Sequence, residues 1–125
     1  MRKPIVTCLF AGLTLLFAGC QKAPATTEGA TIDPKKYYAV LLSNGSVYFG
    51  QLEGLGTDFP VLHDVYYVQS NANPETKAVN NVLIKRGHEW HAPDRMIING
   101  KQIVFVEPVG ADSKVAQLIS ESKKQ

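Results

Sequence analysis

The stretch YYAVLLSNGSVYFGQL, residues 37–52, decides the fold, because two runs of β-favouring residues flank a central turn. Asn44-Gly45 is a strong hairpin signal, since both residues of a two-residue turn must accept a positive φ. We therefore expect Tyr37–Ser43 and Ser46–Leu52 to pair as antiparallel strands. Alternate residues of a strand face opposite sides, and both sides of these strands carry apolar residues. The pattern fits either a barrel or a sheet that is covered on both faces.

More strands follow along the chain. Val61–Gln69 is dense in valine and tyrosine, which favour strands. Turn-forming residues fill Ser70–Asn81, so we expect a long, mobile connection there, before a short strand at Val82–Lys85. A second Asn-Gly pair, Asn99-Gly100, predicts another hairpin. Its strands are expected at Met96–Ile98 and Gln102–Glu107, and Pro108 should end the second because proline cannot donate to the ladder.

A short helix is expected near the end of the chain. Asp112 or Ser113 can cap it, and the apolar residues that follow fall at i, i+3 and i+4 on one face: Val115, Leu118 and Ile119. Short strands, two tight hairpins and one helix indicate a mainly β protein. We expect a small, strongly bent antiparallel β-barrel of five to six strands, with a short C-terminal helix that docks on the sheet.

The two Asn-Gly motifs resemble the signature halves of Sm-like barrels. Ser43–Leu52 has the order strand, Asn-Gly, strand ending in Gly-x-Leu, and Ile97–Val104 has two apolar residues on each side of x-Gly-x-x. The resemblance implies a barrel. Sm-like proteins carry an arginine before the second glycine as part of their RNA pocket, and this chain has Asn99 there, so the fold is expected without RNA binding. The body also resembles small bacterial envelope proteins, from which no activity carries over.

The N-terminal segment has the pattern of a secretory signal. Arg2 and Lys3 form a positive start, and Ile5–Ala18 is almost wholly apolar. The apolar run is short for a membrane span, which needs about 20 residues. We therefore assign residues 1–19 to a signal peptide. Residues 20–33 follow as a tether rich in alanine, threonine, proline and glycine, and residues 34–125 form the domain.

The end of that segment, Phe17–Cys20, resembles the lipobox of bacterial lipoproteins, although the first position is usually leucine. The resemblance implies that Cys20 receives a diacylglycerol and becomes the acylated N-terminus, a lipid anchor in the cell envelope. Gln21 resembles the pattern for sorting to the periplasmic face of the outer membrane, where two membranes are present. Two alternatives stay open: an ordinary secreted protein that is cut nearby, and an uncleaved membrane anchor.

Charge and cysteine content narrow the possible partners. Arg2 and Lys3 account for the whole excess of 13 basic over 11 acidic residues, so the chain without its signal is neutral. A neutral chain lacks the clustered cations that drive nucleic-acid binding, and no nucleic-acid partner is expected. Cys8 leaves with the signal, so Cys20 has no intramolecular disulfide partner. The domain must then be stabilised by its hydrophobic core.

The stretch RGHEWHAPDRM, residues 86–96, is the best candidate for metal chemistry. His88, His91 and Asp94, together with His63 on the third strand, are residue types that zinc accepts as ligands. The spacing is less suitable, because a helical zinc motif needs its second histidine four residues after the first. The alternative is a loop in which a partly buried Trp90 is flanked by exposed histidines.

Enzyme signatures are not found in the sequence: there is no Gly-x-Ser-x-Gly elbow and no complete phosphate-binding loop. We therefore expect no catalysis and no cofactor. The aromatic residues Tyr66, Tyr67 and Trp90 are candidates for a binding surface, because they offer large apolar contacts with a polar tip. The favoured hypothesis is a membrane-anchored, non-enzymatic binding or structural module, with an envelope protein or peptidoglycan as partner. The alternative is a protein that binds metal at the histidine cluster.

Overall fold

The computed structural model describes residues 31–124. The predicted signal peptide, Cys20 and the predicted tether as far as residue 30 lie outside the described residues. Six strands and one α-helix make up the described part: β1 (Tyr37–Leu42), β2 (Val47–Glu53), β3 (Val61–Ala72), β4 (Val79–Lys85), β5 (Arg95–Ile97), β6 (Ile103–Pro108) and α1 (Lys114–Ser122). No helix within residues 31–124 is long and apolar enough to cross a membrane.

The strands form one antiparallel sheet in the order β4-β3-β2-β1-β6, and β5 pairs with the first residues of β3. The mainly β class, the strand number and the C-terminal helix are therefore confirmed. The strongly bent barrel is not: within residues 31–124 the end strands β4 and β6 do not pair, and the sheet is open. Part of its second face is covered by α1, as the buried Tyr66 and Ile119 show, while Val47, Val68 and Phe105 on that face stay exposed.

The main core lies on the other face of the sheet. Its buried members come from three strands, β1, β2 and β3, and from the loop after β5: Tyr38, Val40, Leu52, Leu62, Val65 and Ile98. Burial of side chains of this size contributes about 1.5–3 kcal/mol each, which offsets the conformational entropy that the chain loses on folding. The residues 31–124 that the structure describes contain this core and five hydrogen-bonded strand pairs, which are the elements of a domain that folds by itself.

The first hairpin forms, but its turn differs from the prediction. The Gly45 N–H donates to the Leu42 carbonyl over 2.9 Å, and the Leu42 N–H donates to the Ser46 carbonyl over 2.9 Å. Only Gly45 has a positive φ, of 83°, whereas Asn44 does not. The connection is therefore a three-residue loop with glycine in the left-handed region, a common hairpin solution that requires one such residue instead of two.

The second predicted hairpin is wrong. A single 3-10 turn, Gly100–Gln102, separates β5 from β6, and Asn99 caps it by accepting the Lys101 N–H over 3.1 Å. β5 then pairs with β3 and β6 pairs with β1, so the two strands do not pair with each other. Gly100 is required for close approach: its N–H donates to the Asp58 carbonyl, and a Cβ would lie 2.5 Å from the Thr57 oxygen.

The predicted mobile connection at residues 70–81 is also wrong, because β3 and β4 pair along most of it. Their register runs from Tyr66 opposite Lys85 to Ala72 opposite Val79. The connecting turn is held by the side chain of Asn73, which accepts the N–H groups of Glu75 and Thr76. Polar turn-forming residues therefore occupy an exposed two-stranded arm, residues 68–82, where no core selects apolar side chains.

The C-terminal helix is confirmed with Ser113 as its cap, since the Ser113 side chain accepts the Ala116 N–H over 3.1 Å. Ile119 is buried against the sheet, and Val115 and Leu118 are half-buried beside it. The predicted docking of this helix is therefore confirmed.

β3 contains one extra residue opposite β2. Gln51 pairs with His63, but Phe49, two residues earlier on β2, pairs with Tyr66, three residues later on β3. The extra residue is accommodated at Asp64, whose φ of 47° is left-handed. This β-bulge lies between the part of β3 that pairs with β5 and the part that pairs with β4.

Gly50 permits β2 to approach this distorted strand. It is buried, and a Cβ on it would lie 2.7 Å from both the His63 carbonyl oxygen and Leu62 Cγ. We predict that Gly50→Ala lowers the free energy of unfolding by about 3 kcal/mol, the upper part of the range for overpacking, because one obstructing atom is backbone. Urea denaturation measures the change.

Gly110→Ala is the matched control, because a Cβ there meets no atom within 4 Å. It should change stability by no more than about 0.5 kcal/mol. Equal stability of the two variants would show that the close approach at Gly50 is not a constraint on the fold.

Candidate functional site

The predicted metal ligands do not come together. His63 lies on β3 with its Nε2 atom 3.3 Å from Glu53 Oε2. His88 and His91 are exposed in the loop between β4 and β5, and Asp94 lies beside Arg95 in that loop. Within residues 31–124 no three His, Cys, Asp or Glu side chains are close enough to hold a metal ion. The arrangement gives no support to the metal-binding alternative.

The loop between β4 and β5 is organised by Glu89 instead. Its carboxylate accepts Arg86 Nε–H and the Gly87 N–H, each over 2.7 Å, and its carbonyl accepts the Ala92 N–H over 2.8 Å. The hydrogen bonds from Arg86 and the Gly87 backbone lower the pKa of Glu89 to about 2. The carboxylate is therefore charged at neutral pH and holds the loop in its turn.

Trp90 is fully exposed, with a relative accessibility of 106%. The expectation of a partly buried indole is wrong. Glu89 occupies the inward position of the turn, so the next side chain points outward. An exposed indole on a fixed loop is available for contact with a partner.

The two tyrosines predicted to form a binding surface have different positions. Tyr66 is 1% exposed, and its hydroxyl lies 3.2 Å from Ser122 Oγ of α1, so it is a core residue and not part of a surface. We expected Tyr66 to be exposed on the sheet, but the β-bulge at Asp64 turns its side chain under α1. Tyr67 is half-buried and packs edge-on against Tyr48, with 6.5 Å between the ring centroids.

Sequence reasoning missed a polar cluster around Asp64. The Asp64 carboxylate accepts a hydrogen bond from the Tyr37 hydroxyl. It also forms salt bridges with Lys85 Nζ at 3.0 Å and with Lys123 Nζ at 3.1 Å. Lys123 Nζ also donates to the Tyr37 oxygen over 2.7 Å. The cluster joins β1, β3, β4 and the end of α1. A lone aspartate within the apolar strand VLHDVYYVQ was its only sequence signal.

The protonation states of this cluster are fixed at neutral pH. Burial and the hydrogen bond to Asp64 raise the pKa of Tyr37 to about 12. Burial alone would raise the pKa of Asp64, but hydrogen bonds from Tyr37, Lys85 and Lys123 outweigh it and lower that pKa to about 2. The pKa values of both lysines are raised by their hydrogen bonds within the cluster. None of these four groups is suited to exchange protons near neutrality, so the cluster stabilises the fold.

The most distinctive surface is a cleft where β2 and β3 separate. Hydrogen-bonded pairing between these strands ends at Phe49 and Tyr66, and beyond this pair β3 continues with β4 alone. The cleft has a volume of about 500 Å³. Its lining comes from the start of β2 and the middle of β3: Gly45, Ser46, Val47, Tyr48, Phe49, Tyr67, Val68 and Ser70.

The direction of the backbone groups in this cleft follows from the pairing of β3 with β4. Arg86 N–H donates to the Val65 carbonyl, and Asn73 N–H donates to the Ala78 carbonyl. Odd-numbered residues of β3 after the bulge therefore bond to β4, because hydrogen-bonded pairs alternate along an antiparallel ladder. The N–H and C=O groups of Val68, Ser70 and Ala72 then point to the other side, where Val68 and Ser70 line the cleft and Ala72 continues the same edge. Within residues 31–124 they have no strand partner there.

The cleft edge also lacks the features that usually protect such edges. Natural edge strands carry charged residues or proline, which discourage the approach of another strand. The segment YVQSNA, residues 67–72, has neither. Val47 and Val68, which line the cleft, are 37% and 45% exposed, so an incoming strand would also meet apolar side chains.

Comparison of the sequence with known protein families and with curated proteins gives no match.

The Asp64 cluster predicts a pH dependence of stability. Asp64 is 20% exposed, and its pKa falls from 3.8 to about 2 on folding, which corresponds to about 2 kcal/mol. Because the folded pKa is the lower one, this stabilisation is present above pH 4 and is lost as the pH falls through about 2. Asp64→Asn should lower the free energy of unfolding at pH 7 by about 2 kcal/mol. The free energy of unfolding of this variant should also fall less between pH 4 and pH 2 than that of the original protein.

Asparagine is the suitable replacement because it tolerates a positive φ as aspartate does. Asp64→Ala should cost about 1 kcal/mol more, since it adds the strain of a left-handed alanine. Urea denaturation at a series of pH values checks both variants. An unchanged acid dependence in Asp64→Asn would contradict the assignment.

Proposed function

We propose that this protein is a lipid-anchored, non-enzymatic binding module of the bacterial cell envelope, and that it takes up an extended segment of an envelope polypeptide beside β3. The observation that carries the proposal is the row of unpaired main-chain groups at Val68, Ser70 and Ala72. An added strand satisfies such groups with its own backbone, and side-chain pockets supply specificity.

Several properties of the cleft favour a single polypeptide strand as the ligand. Its volume of about 500 Å³ accommodates a few residues in extended conformation but not a folded partner. Tyr48 and Tyr67 form one wall, and Arg86 lies over the Tyr48 ring at 5.9 Å. Glycan chains lack a regular alternation of donors and acceptors that would match a strand edge. A polypeptide is therefore a better partner for this cleft than the glycan of peptidoglycan.

The lipid anchor rests on the lipobox-like sequence at Phe17–Cys20. Two or more acyl chains bind a membrane stably, whereas one binds only marginally. The geometry is compatible with this anchor. The described chain begins at Thr31, close to the start of β1, whereas the cleft lies beside the turn at the other end of β1. A partner in the surrounding compartment would reach the cleft without approaching the bilayer.

The anchor predicts a definite covalent state of Cys20. The protein extracted from membranes should begin at Cys20, with its sulfur and amino group acylated, as mass spectrometry of the N-terminal peptide would show. Cys20→Ser should leave an uncleaved precursor, because the signal peptidase of lipoproteins acts after modification of the thiol. A free thiol at Cys20 in the mature protein would refute the anchor.

Strand docking predicts different effects for proline at two adjacent positions. The Ser70 N–H points into the cleft, so Ser70→Pro should block docking with little loss of stability, since proline is tolerated where the strand faces away from its partner. The Gln69 N–H bonds to β4, so Gln69→Pro should disrupt the arm. A photo-crosslinking amino acid at Val47 identifies the docked segment, and a synthetic peptide of that segment provides the binding assay.

The peptide should bind the original protein and fail to bind Ser70→Pro, while thermal melting of that variant stays close to the original. Gln69→Pro should melt at a lower temperature. Undiminished binding of the peptide to Ser70→Pro would contradict strand docking. A crosslink that joins position 47 only to lipid would contradict it as well.

A further inference from the structure

A second cleft lies between α1 and the end of the sheet where β1 begins. Its volume is about 540 Å³. The walls are mainly apolar and come from the end of β6, the following loop and the helix: Pro108, Val109, Ala111, Ala116 and Ile119. Lys36, just before β1, and Lys123, at the end of α1, also line the cleft. Size and apolar walls with a few polar groups are typical of small-ligand sites.

The charge at this cleft is positive. Lys123 shares the Asp64 carboxylate with Lys85, so two ammonium groups meet one carboxylate. No carboxylate within residues 31–124 forms a salt bridge with Lys36, and the neighbouring Lys35 adds another exposed cation. An apolar cleft with a cationic rim is complementary to a molecule that has an apolar chain and an anionic head.

The position of the cleft indicates where such a molecule comes from. Lys36 lies five residues after Thr31, where the described chain begins. Ten residues lie between Cys20 and Thr31, and the segment from Cys20 to Thr31 spans at most about 40 Å when fully extended. If Cys20 carries the lipid anchor, this end of the domain is the one that the anchor holds near the bilayer.

We propose that the cleft between α1 and β1 binds an anionic phospholipid of the membrane to which the protein is anchored. The headgroup lies between Lys36 and Lys123, and the upper part of an acyl chain lies against Val109 and Ile119. Lysine side chains suit this position because their aliphatic stems cover apolar surface while the ammonium groups reach the phosphate. The inference rests on the anchor of the proposed function, and it orients the β3 cleft away from the bilayer.

The test uses residues 20–125 with Cys20→Ser, which keeps every described strand and the helix but has no acyl chain. Flotation measures binding to phosphatidylcholine vesicles with and without phosphatidylglycerol. We expect binding only to the anionic vesicles. Lys36→Glu should weaken it by about tenfold or more, because each lysine near an anionic surface contributes about fivefold and the substitution also adds repulsion. Ala116→Leu should weaken it as well by filling the cleft.

Lys101→Glu is the matched control. It makes the same change in net charge but lies in the 3-10 turn near the other end of β1, where Gln102 bonds to Ser43. Its effect should stay below about twofold, and circular dichroism should show that all variants are folded. Equal losses in Lys36→Glu and Lys101→Glu would overturn the inference, because binding would then follow net charge alone. Loss of binding in Trp90→Ala with full binding in Lys36→Glu would also overturn it.

The result separates this inference from the proposed function. An acylated Cys20 together with no affinity for anionic vesicles would reject the lipid cleft and leave the anchor in place. Binding to anionic vesicles by a protein whose Cys20 is never acylated would reject the anchor and retain the cleft.

Discussion

The left-handed backbone of Asp64 is the constraint on which the rest of the structure depends. It adds one residue to β3 opposite β2 and divides β3 into a part that pairs with β5 and a part that pairs with β4. Without the extra residue, strict alternation would place Tyr66 on the same face as Leu62, in the main core. With it, Val65 joins the core and Tyr66 turns to the face that α1 covers. The same residue then supplies the carboxylate that binds Tyr37, Lys85 and Lys123, so the strained position and the ion pairs that stabilise it belong to one side chain.

How much of this could be predicted from the sequence depended on whether local residues decide the structure. The first hairpin follows from Asn44-Gly45, and the helix follows from Ser113 and its apolar spacing, because local interactions set both. Asn99-Gly100 has the same dipeptide but forms a 3-10 turn, since Gly100 must pack against the Thr57 and Asp58 carbonyls. The contact joins residues about 40 positions apart, so the Asn-Gly dipeptide alone could not predict it. The arm was missed for a related reason: exposed strands carry polar residues, and without an apolar pattern they resemble loops.

The candidate sites show the same division. Trp90 was singled out from its residue type, but its full exposure depends on Glu89 turning inward to Arg86 and Gly87. Tyr66 and Tyr67 are adjacent and chemically similar, yet the bulge buries one and leaves the other beside the cleft. The histidines at positions 63, 88 and 91 had suitable chemistry for zinc, but a metal site requires convergence in space. The unpaired edge of β3 has no sequence signature, because it arises from the separation of two strands.

An exposed and uncharged strand edge normally invites aggregation, and the arm has properties that limit this. Its side chains beyond Val68 are mostly small or amide-bearing, as at Gln69, Ser70 and Asn71, so an incorrect partner gains little apolar contact. On the open side of β3 this contact comes from Val47 and Val68, where β2 and β3 diverge, whereas the exposed Val79 and Val82 lie on β4, on the other side of β3. A strand therefore gains most when it enters the cleft, and less when it pairs with the tip of the arm. The edge can then remain open to a strand that fits the cleft without becoming a general site of self-association.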